Sequence, residues 1–173
     1  MSSGLHSSLY LQSAIALSYP KYLKIIAQEL VDIIKNNVKV SEVDLVVSPA
    51  MGGVIIGSKV GELLNKQAVF LERVNNKLVL RRGFSINKKS KILIIEDVIT
   101  TGKSSKECIA AIKKYKSIVV GVFSIIDRSM KNIEIKVPKY SLVNIKAPLY
   151  KKNNLPPFLK RLPLSKPGSR FIK

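Results

Sequence analysis

The segment 92–104 constrains the fold of this chain more than any other part of the sequence. The apolar residues from Ile92 to Ile95 predict a buried strand, and Glu96 and Asp97 follow at its carboxyl end. Small hydroxyl residues and one glycine, at 100–104, then lead into a predicted helix. Ligands of open α/β sheets bind at the carboxyl ends of the strands. The segment therefore predicts both an α/β fold and the edge of the sheet that carries the site.

Apolar patterns elsewhere in the chain extend this fold. Helical periodicity predicts helices over 21–36, over 54–64 and from 104 to about 115. Short apolar runs predict strands over 44–47, 68–71, 91–95, 118–126 and, as an edge strand, 142–145. A polar stretch that reaches about Asn87 carries a turn signal at Asn75-Asn76. Strands alternating with helices predict one domain over 1–173, with a mainly parallel central sheet flanked by helices. Prolines and lysines predict an irregular basic tail over 148–173.

Residues 100–104 have the composition of an anion site. Backbone N–H groups and the following helix N-terminus attract a phosphate, and the hydroxyls of Thr100, Thr101 and Ser104 add donors. Carboxylates do not bind phosphate. Glu96 and Asp97 are therefore expected to hold sugar hydroxyls or a divalent metal.

Two other interpretations of this segment stay open at this point. Gly102-Lys103-Ser104 is similar to the end of a nucleotide-binding P-loop, but that motif requires a glycine where Asp97 stands. The segment can also be a capped helix after a strand, with acids that are only solvated.

The segment resembles the phosphoribosyl pyrophosphate signature of type I phosphoribosyltransferases, in which apolar residues, two acids, an apolar pair and Thr-Thr-Gly follow one another. The resemblance implies that the two acids hold the ribose hydroxyls, with Asp97 also catalytic, and that the loop cradles the 5-phosphate. The substrate-binding residues implied in this segment are Glu96, Asp97, Val98, Ile99, Thr100, Thr101, Gly102, Lys103 and Ser104.

The N-terminal segment is similar to that of the orotate phosphoribosyltransferases within this family. Residues 3–7 match their Ser-Gly-x-x-Ser pattern, which covers the base. The resemblance implies that residues 1–20 form a small hood and that His6 and Tyr10 bind substrate. Members usually carry a further helix before this pattern, so we expect that helix to be missing here or the start to be misplaced.

Arg128 follows Asp127 at the end of a predicted strand. The same pair ends a strand in the orotate site of the family, where the arginine contacts the base. A planar guanidinium suits the carboxylate and ring carbonyls of orotate. The alternative is a surface ion pair between Asp127 and Arg128.

Basic residues after the second strand resemble the family's pyrophosphate site and mobile loop. Arg73 falls at a position that contacts pyrophosphate, and Lys77 lies near a catalytic lysine that relatives insert into the neighbouring subunit's site. The alternative for Lys77 is a solvated hairpin. The chain departs from the family at Gly52 and Val74, where many members have lysine. The basic pair at 81–82 can compensate for these departures.

The resemblance implies an enzyme that transfers a phosphoribosyl group from phosphoribosyl pyrophosphate to orotate. The products are orotidine monophosphate and pyrophosphate, in de novo pyrimidine synthesis. It also implies Mg²⁺, held mainly through pyrophosphate, and a homodimer that shares loops. The alternatives are a purine-type phosphoribosyltransferase and a non-catalytic ligand sensor or regulatory protein of the same fold.

Charge and hydropathy indicate which binding partners and which cellular compartment to expect. The net charge of +19 suits polyanionic substrates, and because the basic residues are spread along the chain, nucleic acid is not an expected partner. No apolar run approaches the roughly 18 residues that span a membrane, and we expect no signal peptide. Cys108 is the single cysteine, which excludes an internal disulfide framework. These features predict a cytoplasmic protein.

Overall fold

Six strands form one sheet in the computed structural model, which describes residues 6–9, 11–129, 133–148 and 150–163. The strands are β1 (Leu45–Pro49), β2 (Gln67–Val74), β3 (Lys77–Leu80), β4 (Lys91–Ile99), β5 (Ile118–Asp127) and β6 (Lys139–Asn144). Their order across the sheet is β3-β2-β1-β4-β5-β6, and all neighbours are parallel except β2 and β3. The carboxyl ends of five strands therefore meet at one edge.

Helices cover both faces of this sheet. They are α1 (Ser13–Leu17), α2 (Pro20–Asn37), α3 (Gly52–Leu64), α4 (Lys103–Lys113) and α5 (Pro157–Lys160). Leu93 and Ile95 point into a core shared with α2 and α3, whereas Ile92 and Ile94 point into a core shared with α4. This alternation follows from the pleat of a strand, and it explains why β4 is apolar on both faces.

The predicted α/β fold and its main elements are confirmed. The helices predicted over 21–36 and 54–64 correspond to α2 and α3, and the predicted edge strand corresponds to β6. The strand predicted over 91–95 was too short, because β4 continues to Ile99 and includes both acids. The short helix α1 was not predicted, and the tail predicted as irregular contains α5.

The segment predicted as a loop around Lys77 is a tight hairpin, which was the alternative for this residue, and the turn predicted at Asn75-Asn76 is confirmed. Asn75 and Asn76 both have positive φ, at 47° and 62°, and they join β2 directly to β3. Two consecutive left-handed residues match the right-handed twist of a hairpin, and asparagine tolerates that conformation better than most residues. Lys77 is therefore an exposed residue of β3, paired in register with Val74, and does not lie in a long loop.

Candidate functional site

Asp97 lies at the rim of the sheet between α1 and α3. The Ser13 hydroxyl donates to Asp97 Oδ2 at 2.6 Å. A Cβ atom added at Gly52 would stand 2.4 Å from the same carboxylate oxygen. The absence of a side chain at Gly52 therefore makes room for the Asp97 carboxylate where the chain turns from β1 into α3. Any side chain at this position would meet Asp97.

Glu96 faces the opposite side of β4 from Asp97. Its side chain is buried and accepts a hydrogen bond from Ser105 on α4. Burial raises the pKa of Glu96 to about 7, against the lowering effect of the Ser105 hydrogen bond, and the negative charge of Asp97 raises it further. The two acids thus do not form the adjacent pair that their sequence suggests, because neighbouring strand residues point to opposite faces. The ribose role of Glu96 stays a prediction.

The loop before α4 has the backbone of an anion site. Gly102, at the N-cap of α4, has a left-handed φ of 68°, and no side chain caps the helix. The N–H groups of the first turn are therefore available to a phosphate, and the helix dipole favours negative charge there. Thr101 and Lys103 are exposed beside this end of α4.

Val98 and Ile99 connect this loop to the sheet. Val98 is half-buried and pairs with Ile126, whereas the side chain of Ile99 is buried in the core on the α4 face. The Ile99 carbonyl accepts the Arg128 N–H at 2.9 Å. Ile99 therefore contributes its backbone to this rim, because its side chain is turned away from it.

Arg128 is a buried cation at the end of β5. It is 2% exposed, its side chain donates to the Ser7 hydroxyl at 3.2 Å, and burial lowers the pKa of its guanidinium. Within the described residues, Nε has no hydrogen-bond partner, and no carboxylate lies within ion-pair distance. A buried guanidinium with an unused donor has the chemistry to bind a planar anion.

Asp127 pairs with Lys139 at the start of β6, so the predicted alternative of an Asp127–Arg128 ion pair is wrong. Burial alone would raise the pKa of Asp127. The hydrogen bonds from Lys139 and from Ser129 outweigh burial and leave that pKa below its ordinary value. The Ser129 backbone N–H donates to Asp127 Oδ1 at 2.8 Å, which fixes the turn around Arg128.

The three arginines near the hairpin, Arg73, Arg81 and Arg82, are held by acids. Arg73 forms an ion pair with Glu107 of α4 and donates to the Asn76 carbonyl at 2.8 Å. Glu72 binds Arg82 at 2.6 Å, and Arg81 lies 3.7 Å from it. These contacts place Arg73 near α4, the helix whose N-terminus carries the anion site.

The N-terminal segment reaches this edge and contacts a distant part of the chain. His6 and Tyr150 exchange backbone hydrogen bonds of 2.9 Å in both directions. Because Ser7 contacts Arg128, the segment passes the predicted base site, as a covering element must. Tyr10, predicted to bind substrate, lies outside the described residues.

Sequence reasoning missed several residues of this edge. Each of the missed residues binds a predicted site residue or its neighbour: Ser13 on α1, Ser105 and Glu107 on α4, and Lys139 on β6. Ser13 and Glu107 are 84 and 34 residues from their partners, and no spacing rule links Ser105 or Lys139 to an acid on the preceding strand, so spacing gave no signal. The hydroxyl-rich start of α4 was the one visible clue, because Ser105 follows Ser104 there.

In the part of the chain that the structure describes, no three His, Cys, Asp or Glu side chains come together as a metal site. A divalent ion here would need oxygen ligands from a substrate. Among the described residues at this rim, Asp97 could add a carboxylate ligand. No described helix is long and apolar enough to cross a membrane.

The chain matches the model of the phosphoribosyl transferase domain over residues 17–159. It is 44% identical over 170 residues to an orotate phosphoribosyltransferase of Erythrobacter litoralis, covering 98% of this chain and 88% of that protein. This likeness confirms the prediction of an enzyme over that of a non-catalytic sensor.

Solved structures show the same fold at low sequence identity. An orotate phosphoribosyltransferase from Aeropyrum pernix superposes with a TM-score of 0.67 at 19% identity, over 84% of each chain. An adenine phosphoribosyltransferase from Rhodothermus marinus gives 0.64 at 16% identity, over 83% of this chain and 96% of that one. Because orotate-type and adenine-type proteins both share the fold, the fold alone does not choose the base.

The buried Glu96 carboxyl predicts a pH dependence of stability. The unfolded chain releases this proton near the ordinary pKa of 4.5, whereas the native state holds it to about 7. The native state binds more protons in this window, so the contribution to the free energy of unfolding falls as pH rises through it. Glu96→Gln removes that contribution. The free energy of unfolding of the variant, relative to that of wild type, should therefore rise by about 3 kcal/mol from about pH 5 to pH 8, at about 1.4 kcal/mol per pKa unit.

Urea unfolding of both proteins at the two pH values measures this gain. Glu29→Gln, which alters an exposed carboxylate on α2, is the matched control. Parallel stability profiles for wild type and Glu96→Gln would show that the Glu96 proton is not linked to folding.

Proposed function

The chain belongs to the orotate phosphoribosyltransferase family, and on that premise we propose how its residues carry out the transfer. The reaction moves a phosphoribosyl group from phosphoribosyl pyrophosphate to orotate and yields orotidine monophosphate and pyrophosphate, in pyrimidine synthesis. A base nitrogen attacks the anomeric carbon as pyrophosphate leaves. The site must therefore hold a sugar phosphate, a leaving group and an anionic base in line.

We propose that Asp97 and the N-terminus of α4 hold the ribose phosphate. The Asp97 carboxylate is half-buried at the sheet edge, and its second oxygen can accept sugar hydroxyls while Ser13 keeps the first in place. The uncapped N–H groups after Gly102 receive the 5-phosphate. Because both groups lie at the end of β4, the ribose and its phosphate are aligned by one strand.

The observation that carries the choice of orotate is the buried Arg128 with its unused donor. Orotate has a carboxylate that uracil and the purine bases lack, and a guanidinium without a carboxylate partner matches it. Burial strengthens this selection, since a neutral base would leave the cation uncompensated in a site of low dielectric constant. Ser7, and with it the hood, would close over the bound base.

We propose that Arg73 and Lys77 stabilise the leaving pyrophosphate. Arg73 must exchange its contact with Glu107 for the phosphate oxygens, which carry more charge than one carboxylate. Mg²⁺ would neutralise part of the leaving-group charge, bound mainly to pyrophosphate oxygens. Asp97 is the described carboxylate that could reach such an ion.

We also propose a cytoplasmic homodimer in which Lys77 serves the partner's site. Lys77 is exposed at the hairpin and takes part in none of the described ion pairs. No such pair would hold it in its own subunit's site. Exposed apolar residues near the rim favour a protein contact there, namely Ile15, Tyr19, Tyr22, Ile25, Met51 and Ile55. The buried, unpaired Cys108 is compatible with a reducing compartment.

The orotate assignment predicts a selective effect of Arg128→Ala. Wild type should consume orotate with phosphoribosyl pyrophosphate and Mg²⁺. The variant should lose a charge-assisted contact of about 1.5–3 kcal/mol, which raises the KM for orotate roughly 10- to 150-fold. The KM for phosphoribosyl pyrophosphate should change little. Steady-state kinetics with each substrate varied in turn measures both constants.

Arg128→Lys is the matched variant, because it keeps the charge and loses the planar fork. Its KM for orotate should lie between those of wild type and Arg128→Ala. No orotate turnover by the wild type would contradict the proposed function. An equal loss of affinity for both substrates would make Arg128 a structural residue.

Loop sharing predicts that two inactive variants restore activity when mixed. Lys77→Ala should lower kcat with little change in binding, because Lys77 would act on the charge that develops in the transition state. Asp97→Asn should lower turnover through loss of ribose alignment. Subunit exchange in an equal mixture gives about half heterodimers, each with one intact site. Activity should therefore approach roughly a quarter of wild type.

Exchange is verified with differently tagged subunits, and each variant mixed with itself is the control. Recovery that stays at the level of the separate variants, despite verified exchange, would show that Lys77 does not act across a dimer.

A further inference from the structure

The carboxylate next to the base-binding arginine is held in a buried ion pair. Asp127 is 5% exposed, and Lys139, at the start of β6, binds its Oδ2 atom. The Lys139 side chain is also largely shielded, at 18% exposure. The second oxygen of Asp127 accepts the Ser129 N–H. Both oxygens of the carboxylate are therefore engaged by groups other than Arg128.

This arrangement leaves the charge of Arg128 uncompensated. Asp127 and Arg128 are consecutive residues, whose Cα atoms are about 3.8 Å apart, so the charge of Asp127 acts on an anion bound at Arg128. At an effective dielectric constant of about 20, a negative charge roughly 10 Å from a bound anion weakens the binding of that anion on the order of tenfold. An Asp127 carboxylate without a lysine partner would therefore oppose the binding of an anionic base at Arg128.

We propose that Lys139 is a specificity-determining positioning residue of the base site, which binds Asp127 and so preserves the net positive charge that selects an anionic base. The inference rests on the proposed function, since it concerns the orotate subsite. Lys139 does not touch the base in this scheme and acts only through the Asp127 carboxylate.

A purely structural role predicts a different pattern of mutant effects. Lys139 and Asp127 join β6 to the end of β5, beside a contact of 2.6 Å between the hydroxyls of Ser124 and Ser141. If the ion pair served only to join these strands, removal of either partner would disturb Arg128 in the same way. If the pair serves to neutralise Asp127, removal of the acid is harmless and removal of the lysine is not.

The test compares Lys139→Met, Asp127→Asn and the double variant with wild type, at about pH 8, where the carboxylate of Asp127 is ionised. Lys139→Met should raise the KM for orotate on the order of tenfold and leave the KM for phosphoribosyl pyrophosphate nearly unchanged. Asp127→Asn should not raise the orotate KM, since its amide oxygen can still accept the Ser129 N–H. The double variant should return the orotate KM to near the wild-type value.

Circular dichroism and thermal unfolding check that each variant folds. If Lys139→Met does not fold, Asp127→Asn alone decides, because a raised orotate KM in that variant contradicts the proposal. Failure of the double variant to restore the KM also overturns it. Wild type that lacks orotate turnover refutes the proposed function and the inference together, whereas an active wild type with an unaffected Lys139→Met refutes the inference alone.

Discussion

The parallel pairing of β4 with β5 is the constraint on which the site depends. Ile99 lies opposite Asp127 in the register, and the Arg128 N–H donates to the Ile99 carbonyl at 2.9 Å. This pairing fixes the distance between the two parts of the proposed site. Arg128, proposed to bind the base, lies on one strand end, and Asp97 and the N-terminus of α4, proposed to bind the ribose phosphate, lie on the other. A shift of register would separate the two halves of the site, because each is carried by one strand end.

Buried and half-buried charges at this edge are organised so that most have a partner within the chain. Arg73 has Glu107, Asp127 has Lys139, and Glu96 has the Ser105 hydroxyl together with a raised pKa. Burial of an unpaired charge is costly, so such pairing is expected in a folded chain. Arg128 departs from this pattern among the described residues. Its departure is physically reasonable only where an anion completes the site.

Much of the fold could be predicted from the sequence, because apolar periodicity depends on burial, and burial decides which face of an element packs. The buried strand before Glu96 and the helix over 21–36 were visible for this reason. The turn at Asn75-Asn76 was visible from its two asparagines, whereas β3 was missed because it is a short strand of four residues within a polar stretch. The placement of Glu96 and Asp97 on opposite faces could not be predicted, because it depends on how far β4 continues. Pairings such as Asp127 with Lys139 could not be predicted either, because they depend on tertiary contacts.

The most direct test of the account is a crystal structure of the protein with bound orotidine monophosphate. We expect the ribose hydroxyls at Asp97, the 5-phosphate at the N–H groups that begin α4, and the carboxylate of the base at Arg128. A nucleotide bound in that order would confirm that the β4–β5 pairing aligns the two halves of the site. A base carboxylate that lies away from Arg128, with the phosphate still at α4, would contradict the account of base recognition.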